Sequence, residues 1–179
     1  MKKIDNLLSL IDLASAKFPF NYSDFQNIRK IVENDKYKNP VLAVDIIIQS
    51  IYDVVVIERK NYPLGFALPG GFVEKGETTE SAAVREAKEE TNLTINEKDL
   101  KLFGVYSDPN RDARDHIVSV VYKVQIPYLD TLKAGDDAKS VLRMNCLMLR
   151  DFFNEQPLKF CEAHKPIFKN FLDQTFQGV

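Results

Sequence analysis

Residues 71–93, GFVEKGETTESAAVREAKEETNL, constrain this chain more than any other stretch. An apolar run ends at Pro69, Gly70 and Gly71, a further glycine, Gly76, precedes Glu77, and a helix pattern follows Thr78. Threonine there suits an N-cap, its hydroxyl accepting from a first-turn N–H. At about 100° per residue, Glu86, Glu89 and Glu90 share one helix face. Val84, Ala87 and Thr91 fall roughly opposite, as a thin apolar stripe suited to a sheet, while Ala82 and Ala83 leave room beside the acids. Like charges three and four residues apart each cost a helix about 0.2–0.5 kcal/mol, so three converging carboxylates imply an outside cation. All-oxygen ligation in an incompletely enclosed site, with phosphate as co-ligand, suits Mg²⁺ or Mn²⁺. The competing reading is a solvated acidic face with Lys88 and Arg85 as ion-pair partners.

The complete spacing favours the cation. Gly71, five residues, Glu77, seven residues, then Arg85, Glu86, Ala87, Glu89, Glu90, Asn92 and Leu93 resemble the Nudix box, the signature of the Nudix hydrolases. One position departs, because the family has glycine where this chain has Asn92. That place ends the helix and needs φ > 0, which asparagine tolerates best among the other residues. The resemblance implies an α/β/α sandwich with a mixed sheet, here carrying an N-terminal helical extension. It also implies metal-dependent hydrolysis, with Glu86 and Glu90 as the principal metal ligands and Glu89 as a ligand or the base that activates water. Arg85 is expected to orient a box carboxylate, Glu77.

Composition narrows the partners. The chain has 179 residues, 45% of them hydrophobic and 28% charged, which fits one domain plus an accessory segment. Its formal net charge of −2 leaves no basic surface for nucleic acid or membrane. Cys146 and Cys161 show no metal-ligand spacing and read as reduced residues of a cytoplasmic protein. The first residues, MKKIDNLLSLIDLASA, superficially look like a signal peptide. Asp5 and Asp12 interrupt its apolar core, and Ile4, Leu7, Leu8, Ile11 and Ala14 keep helical spacing, so an amphipathic helix is the better reading.

The rest of the chain falls into two parts, an extension over 1–38 and a domain over 39–175. In the extension, one helix is expected from about Lys3 to Ala16. A second opens at Ser23, with Gln26 completing a capping box. Strands are expected at 41–48, 52–58, 100–107, 117–126 and 143–149, and a closing helix at 161–172. Helices then cover both faces of a mixed sheet.

Between the third and fourth of these strands lies SDPNRDARDH, 107–116. It is too charged for a core, and by itself it reads as a solvated connection. A proline sixteen places after the box, Pro109, resembles the mark of the ADP-ribose pyrophosphatase branch of the family. SDPNRDAR, LKAGDDA and FCEAH look like that branch too, although its usual ending has Asp where Glu162 stands. The branch implies hydrolysis of ADP-ribose to AMP and ribose 5-phosphate. Arg59, Arg111 and Arg114 can serve phosphate or ribose, and Asp108 and Pro109 belong to the same loop. Phe66, Phe72 and Tyr106 are candidates to stack on adenine, or else are core. His116 and His164 read as hydrogen-bonded structural residues or substrate contacts, and Asp136 and Asp137 as a charged turn or an alternative base. Three other functions compete. They are hydrolysis of another substrate (NADH, a nucleoside triphosphate or a nucleotide sugar), a non-catalytic ADP-ribose sensor, and a partner-binding adaptor. The branch also implies a homodimer.

Overall fold

The computed structural model describes residues 9–11, 27–30, 39–129, 132–134 and 138–177. The chain separates into two compact units, Met1–Asn39 and Pro40–Val179. In the first, residues 9–11 and 27–30 are helical, and the rest of the two expected helices lies outside the described residues.

The second unit carries the sheet. It begins with the strands β1 (Val41–Gln49), β2 (Asp53–Arg59), β3 (Phe66–Ala67) and β4 (Gly70–Phe72), and then helix α1 (Thr79–Thr91). Strands β5 (Lys101–Tyr106), β6 (Ile117–Gln125) and β7 (Ala138–Asn145) come next, with α2 (Cys146–Glu155) and α3 (Lys165–Phe176) closing the chain. The seven strands form one sheet of order β3-β2-β1-β6-β5, with β4 also on β1 and β7 also on β2. β1 and β6 run parallel, from Val41↔Ile117 to Gln49↔Gln125, while the other pairs are antiparallel.

β1 is central because its side chains bury on both faces, as an unbroken apolar run predicts. Val44, Ile46 and Ile48 point toward Ala82, Ala83 and Ala87 of α1. Ile47, with Val54 and Val56 of β2, points the other way, onto Leu149 of α2 and Ile167, Phe168 and Phe171 of α3. This is the expected sandwich, an open mixed sheet between helices.

Two expectations need correction. The strand expected at 143–149 stops at Asn145, and α2 begins at Cys146. Asn145 is the reason, because its Oδ1 accepts from Leu147 N at 3.0 Å and caps the new helix. The apolar face of α1 is Ala82, Ala83, Ala87 and Thr91, with Val84 only partly buried. Small side chains let the helix lie close to the sheet, so the alanines take the contact assigned to valine.

The ends of α1 obey local chemistry. Thr78 Oγ1 accepts from Ser81 N at 3.1 Å, and Ser81 Oγ accepts from Thr78 N at 3.1 Å, a reciprocal cap. Asn92 closes the helix at φ 61°, its N–H donating to Lys88 O at 3.0 Å. No described helix is long and apolar enough to cross a membrane.

Candidate active site

Helix α1 presents its glutamates to β4, and the two elements touch through glycine. A Cβ on Gly71 would stand 2.2 Å from Glu86 Oε1, and one on Gly70 would stand 2.2 Å from Val44 O. Backbone excludes any side chain at Gly70, while a side chain at Gly71 would displace the Glu86 carboxylate. The contact brings Gly70 N within 2.8 Å of Glu90 Oε2, to which it donates. Glu86 and Glu90 thereby line a cleft of about 420 Å³, and Arg59, Arg111 and Arg114 line it as well.

Arg85 organises three of the four acids. It forks onto Glu77, with Nε to Oε1 and Nη2 to Oε2 both at 3.0 Å. Its Nη1 donates to Glu86 Oε1 at 2.6 Å and to Glu89 Oε2 at 3.1 Å, and Nη2 also reaches Phe72 O at 3.0 Å. The fork from Arg85, joined by a hydrogen bond from Glu74 N, holds the Glu77 carboxyl below its usual range. Glu90 receives none of this. It is 7% exposed, and burial pushes its carboxyl up to about 7, with Gly70 N–H opposing and Glu86 reinforcing. Burial raises Glu86 too, against the pull of Arg85.

Among the described residues no three Asp, Glu, His or Cys side chains close into a preformed metal cluster. Glu86 and Glu90 nevertheless fit a hard divalent cation. They are two neighbouring carboxylates lining one cleft, Glu90 buried and Glu86 partly buried, whose charged forms want a counter-charge, with room beside them for water or phosphate oxygens. Glu89 is on the outer side, 57% exposed at its side chain and tied to Arg85.

The cations opposite differ in how far they are committed. Arg114 clasps Asp112, with Nε and Nη2 on its two oxygens at 3.0 and 2.8 Å, and stands 5.7 Å from the Phe72 ring centre. Burial pushes the Asp112 carboxyl up, but the Arg114 hydrogen bonds outweigh it and keep it low. Arg111 donates to Ala163 O at 2.6 Å and Ile117 O at 3.1 Å. The Nε atoms of both Arg59 and Arg111 are buried with no hydrogen-bond partner among the described residues. Such donors are costly to leave unpaired, and an anion in the cleft would satisfy them.

Other expected site residues lie elsewhere. Phe66 sits outside the cleft, packed edge-on against Phe152 with ring centres 5.5 Å apart and tilted against Phe160 at 5.8 Å. Its ring serves the core because the remote end of the chain brings two more phenylalanines to it. Tyr106 donates no face to the cleft either; its hydroxyl accepts from Asn170 Nδ2 at 3.0 Å. Phe72 does line the cleft, half-exposed. Asp108 and Pro109 form an exposed turn in which Asp108 Oδ1 accepts from Asn110 N at 2.8 Å. His116 Nε2 pairs with Ser107 O at 3.1 Å. Asp136 and Asp137 lie outside the described residues.

Sequence reasoning missed Asp45 and Ser119 on the cleft floor. Asp45 is buried, accepts from the Ser119 hydroxyl, and faces His164 Nε2 at 3.7 Å. The available signal was an acid inside the apolar run VLAVDIII. His164 is buried and hydrogen-bonded, its Nδ1 accepting from Leu68 N at 3.2 Å. Burial, aided by Arg59 and Arg111 and opposed by Asp45, lowers its pKa.

An open mixed sheet lies between helices, and a carboxylate pair shares one cleft with three guanidinium groups, a donor set suited to a cation and phosphate. The NUDIX domain family matches residues 39–171, and this chain belongs to it. Nudix hydrolases depend on a divalent metal. A curated relative, the ADP-ribose pyrophosphatase of Methanocaldococcus jannaschii, is 45% identical over 139 residues, covering 76% of this chain and 75% of its own. A MutT/nudix family protein from Enterococcus faecalis is 34% identical with a TM-score of 0.57, covering 74% of this chain and 54% of that one. A bifunctional NMN adenylyltransferase/ADP ribose pyrophosphatase from Francisella tularensis, complexed with AMP and a manganese ion, is 25% identical with a TM-score of 0.67. It covers 96% of this chain and 47% of that one, so this chain spans about half the length of each solved structure.

Proposed function

We propose that this protein hydrolyses the diphosphate of ADP-ribose, giving AMP and ribose 5-phosphate. The observation that carries the reading is the cleft itself, where Glu86 and Glu90 face Arg59, Arg111 and Arg114. Such a site suits a diphosphate, with Glu86 and Glu90 as the residues that would hold a divalent cation. The relationship to the Methanocaldococcus jannaschii ADP-ribose pyrophosphatase supports the choice of substrate.

Glu86 and Glu90 would hold Mg²⁺ or Mn²⁺. When bound, such an ion neutralises the phosphoryl oxygens, polarises phosphorus and acidifies water. Arg85 fixes Glu77, Glu86 and Glu89 relative to one another. Arg59 and Arg111 present their unpartnered Nε–H groups to phosphate, and Phe72 with Arg114 forms a flat wall for the nucleoside. Glu89 is the only one of the three helix carboxylates on the solvent side. It takes the proton of the attacking water, whose oxygen bonds to one phosphorus as the bridging P–O bond breaks. Asp108 and Pro109 shape the rim loop, and Asp136 or Asp137 is the alternative base. Most of the acceleration is positioning and electrostatics. We place the protein in the cytoplasm as a homodimer, with 39–175 as the catalytic domain and 1–38 as its extension.

A phosphate-release assay with Mg²⁺ and a coupled phosphatase tests this, on ADP-ribose, NADH, a dinucleoside polyphosphate, a nucleotide sugar and nucleoside triphosphates. The expected result is a kcat/KM preference for ADP-ribose that Glu90→Gln abolishes. Preference for another compound removes the substrate assignment, and tight ADP-ribose binding without turnover replaces the enzyme by a sensor.

A further inference from the structure

The segment Leu68–Pro69–Gly70 links the core to the acidic pair, and each of its residues is held by a different group. Pro69 O accepts from Ile46 N at 2.8 Å, inside the central strand. Gly70 N donates to Glu90 Oε2 at 2.8 Å, and the Gly70 Cα is pressed against Asp45 and Val44 so closely that no Cβ fits. Leu68 N donates to His164 Nδ1 at 3.2 Å, a buried bond to a residue far along the chain. His164 is itself fixed, its backbone N–H donating to Cys161 O at 2.9 Å, while Cys161 N donates to Phe66 O at 2.9 Å.

This bond settles the imidazole. A nitrogen that accepts a backbone N–H carries no proton, so the neutral ring carries its hydrogen on Nε2. That Nε2–H faces Asp45 Oδ1 at 3.7 Å, and the other Asp45 oxygen accepts from Ser119. The ring therefore spans from the aspartate on β1 to the backbone that presents Gly70 to Glu90.

We propose that His164 is a positioning residue for the cation-holding pair, acting through the Leu68–Gly70 segment on Glu90. Its Nδ1 is occupied by the Leu68 N–H, so its action on the cation site runs through the backbone. By accepting from Leu68 N it sets where Gly70 N stands, and Gly70 N is the only hydrogen-bond donor to the Glu90 carboxylate among the described residues. Removing the acceptor leaves a buried N–H unpaired, and the backbone shifts to find another partner, carrying the Glu90 oxygen with it. The inference rests on the reading that Glu86 and Glu90 hold the cation.

The test measures Mn²⁺ binding to the full-length protein without substrate, by electron paramagnetic resonance of the free ion. Asparagine places its side-chain oxygen where Nδ1 stands, whereas glutamine reaches toward Nε2. His164→Leu and His164→Gln should weaken Mn²⁺ binding roughly tenfold or more, the usual effect of losing a group that orients a ligand. His164→Asn should stay within about threefold of the wild-type protein, and kcat at saturating metal should change much less than the metal dependence. Glu90→Gln is the control. If it loses Mn²⁺ while His164→Leu and His164→Gln bind like the wild type, the positioning role is refuted and the metal reading stands. If Glu90→Gln binds like the wild type, both fail. Should His164→Leu not fold, the Asn and Gln pair decides, and equal affinities in that pair overturn the proposal.

Discussion

Glu90 offers the sharpest single perturbation. Its carboxyl is carried from an ordinary 4.5 up to about 7, chiefly by burial and with Glu86 adding repulsion. A carboxyl whose folded pKa is raised binds its proton more tightly in the folded state. Its contribution to stability is therefore fully present below about 4.5 and is lost as pH rises through about 7. At about 1.4 kcal/mol per pH unit, the loss comes to about 3 kcal/mol for the metal-free protein, an order-of-magnitude figure. His164 acts in the opposite sense. Burial lowers its pKa, so its contribution grows as pH rises toward about 6.5. The Glu58, Glu77, Glu80 and Asp112 carboxyls are held low and act only below about 4.5. Glu86, also raised by burial, acts in the same sense as Glu90 but is present in both proteins. Comparison with Glu90→Gln therefore isolates Glu90, because glutamine keeps an acceptor for Gly70 N–H and has no charge to bury. Differential scanning calorimetry in chelator, at several pH values from 5 to 8, should show the wild-type protein losing on the order of 8 °C in Tm relative to the variant. Adding Mn²⁺ at pH 8 should restore the wild type and leave the variant unmoved. Parallel curves for the two proteins would refute the reasoning, since Glu90 would then not be an uncompensated buried acid.

The same geometry sets three other outcomes. Gly70→Ala forces a Cβ to within 2.2 Å of Val44 O and 2.7 Å of Asp45 Oδ1, with backbone on one side that cannot yield. Urea denaturation should show a loss of about 3 kcal/mol. Phe168→Ala empties a fully buried site between Phe153 and Phe160, and should cost about 3–5 kcal/mol by the same assay with the metal affinity of the refolded protein unchanged. Arg59→Ala removes a cleft cation whose Nε has no hydrogen-bond partner among the described residues, and should lower kcat/KM for ADP-ribose about 10–100-fold, mainly through KM.

What was legible in the chain was what local spacing determines. The acidic face of α1, its Thr78 cap and the left-handed Asn92 all depend on residues within a few positions of one another. α2 was hidden because RMNCLML suits a strand or a helix equally, and the Asn145 cap was the one local signal that it changes state. Periodicity found the stripe on α1 but not its centre, because whether valine or alanine faces the sheet depends on how closely two glycines let the helix approach. Phe66 was misplaced for a third reason. Its neighbours Phe152 and Phe160 arrive from the far end of the chain, and no window around residue 66 contains them. Asp45 and His164 meet in the same way, so the floor of the cleft was the part least visible in advance.

The three helix glutamates differ in consequence more than in spacing, and one guanidinium explains why. Arg85 has five N–H groups, and Glu77, Glu86, Glu89 and Phe72 O occupy them, leaving none for Glu90. Glu89 keeps water, Glu86 keeps the arginine, and Glu90 keeps one backbone N–H under burial. Extending Arg85 to Glu90 would stabilise the metal-free protein and would also balance the buried charge that the proposed cation would otherwise meet. The fold spends stability at that one carboxylate, which it buries against β4 with the Gly70 N–H as its donor. With Glu86 and Glu90 proposed to hold the cation, an arginine shared among three acids and withheld from the fourth is what would let a repulsive helix face accept a divalent ion.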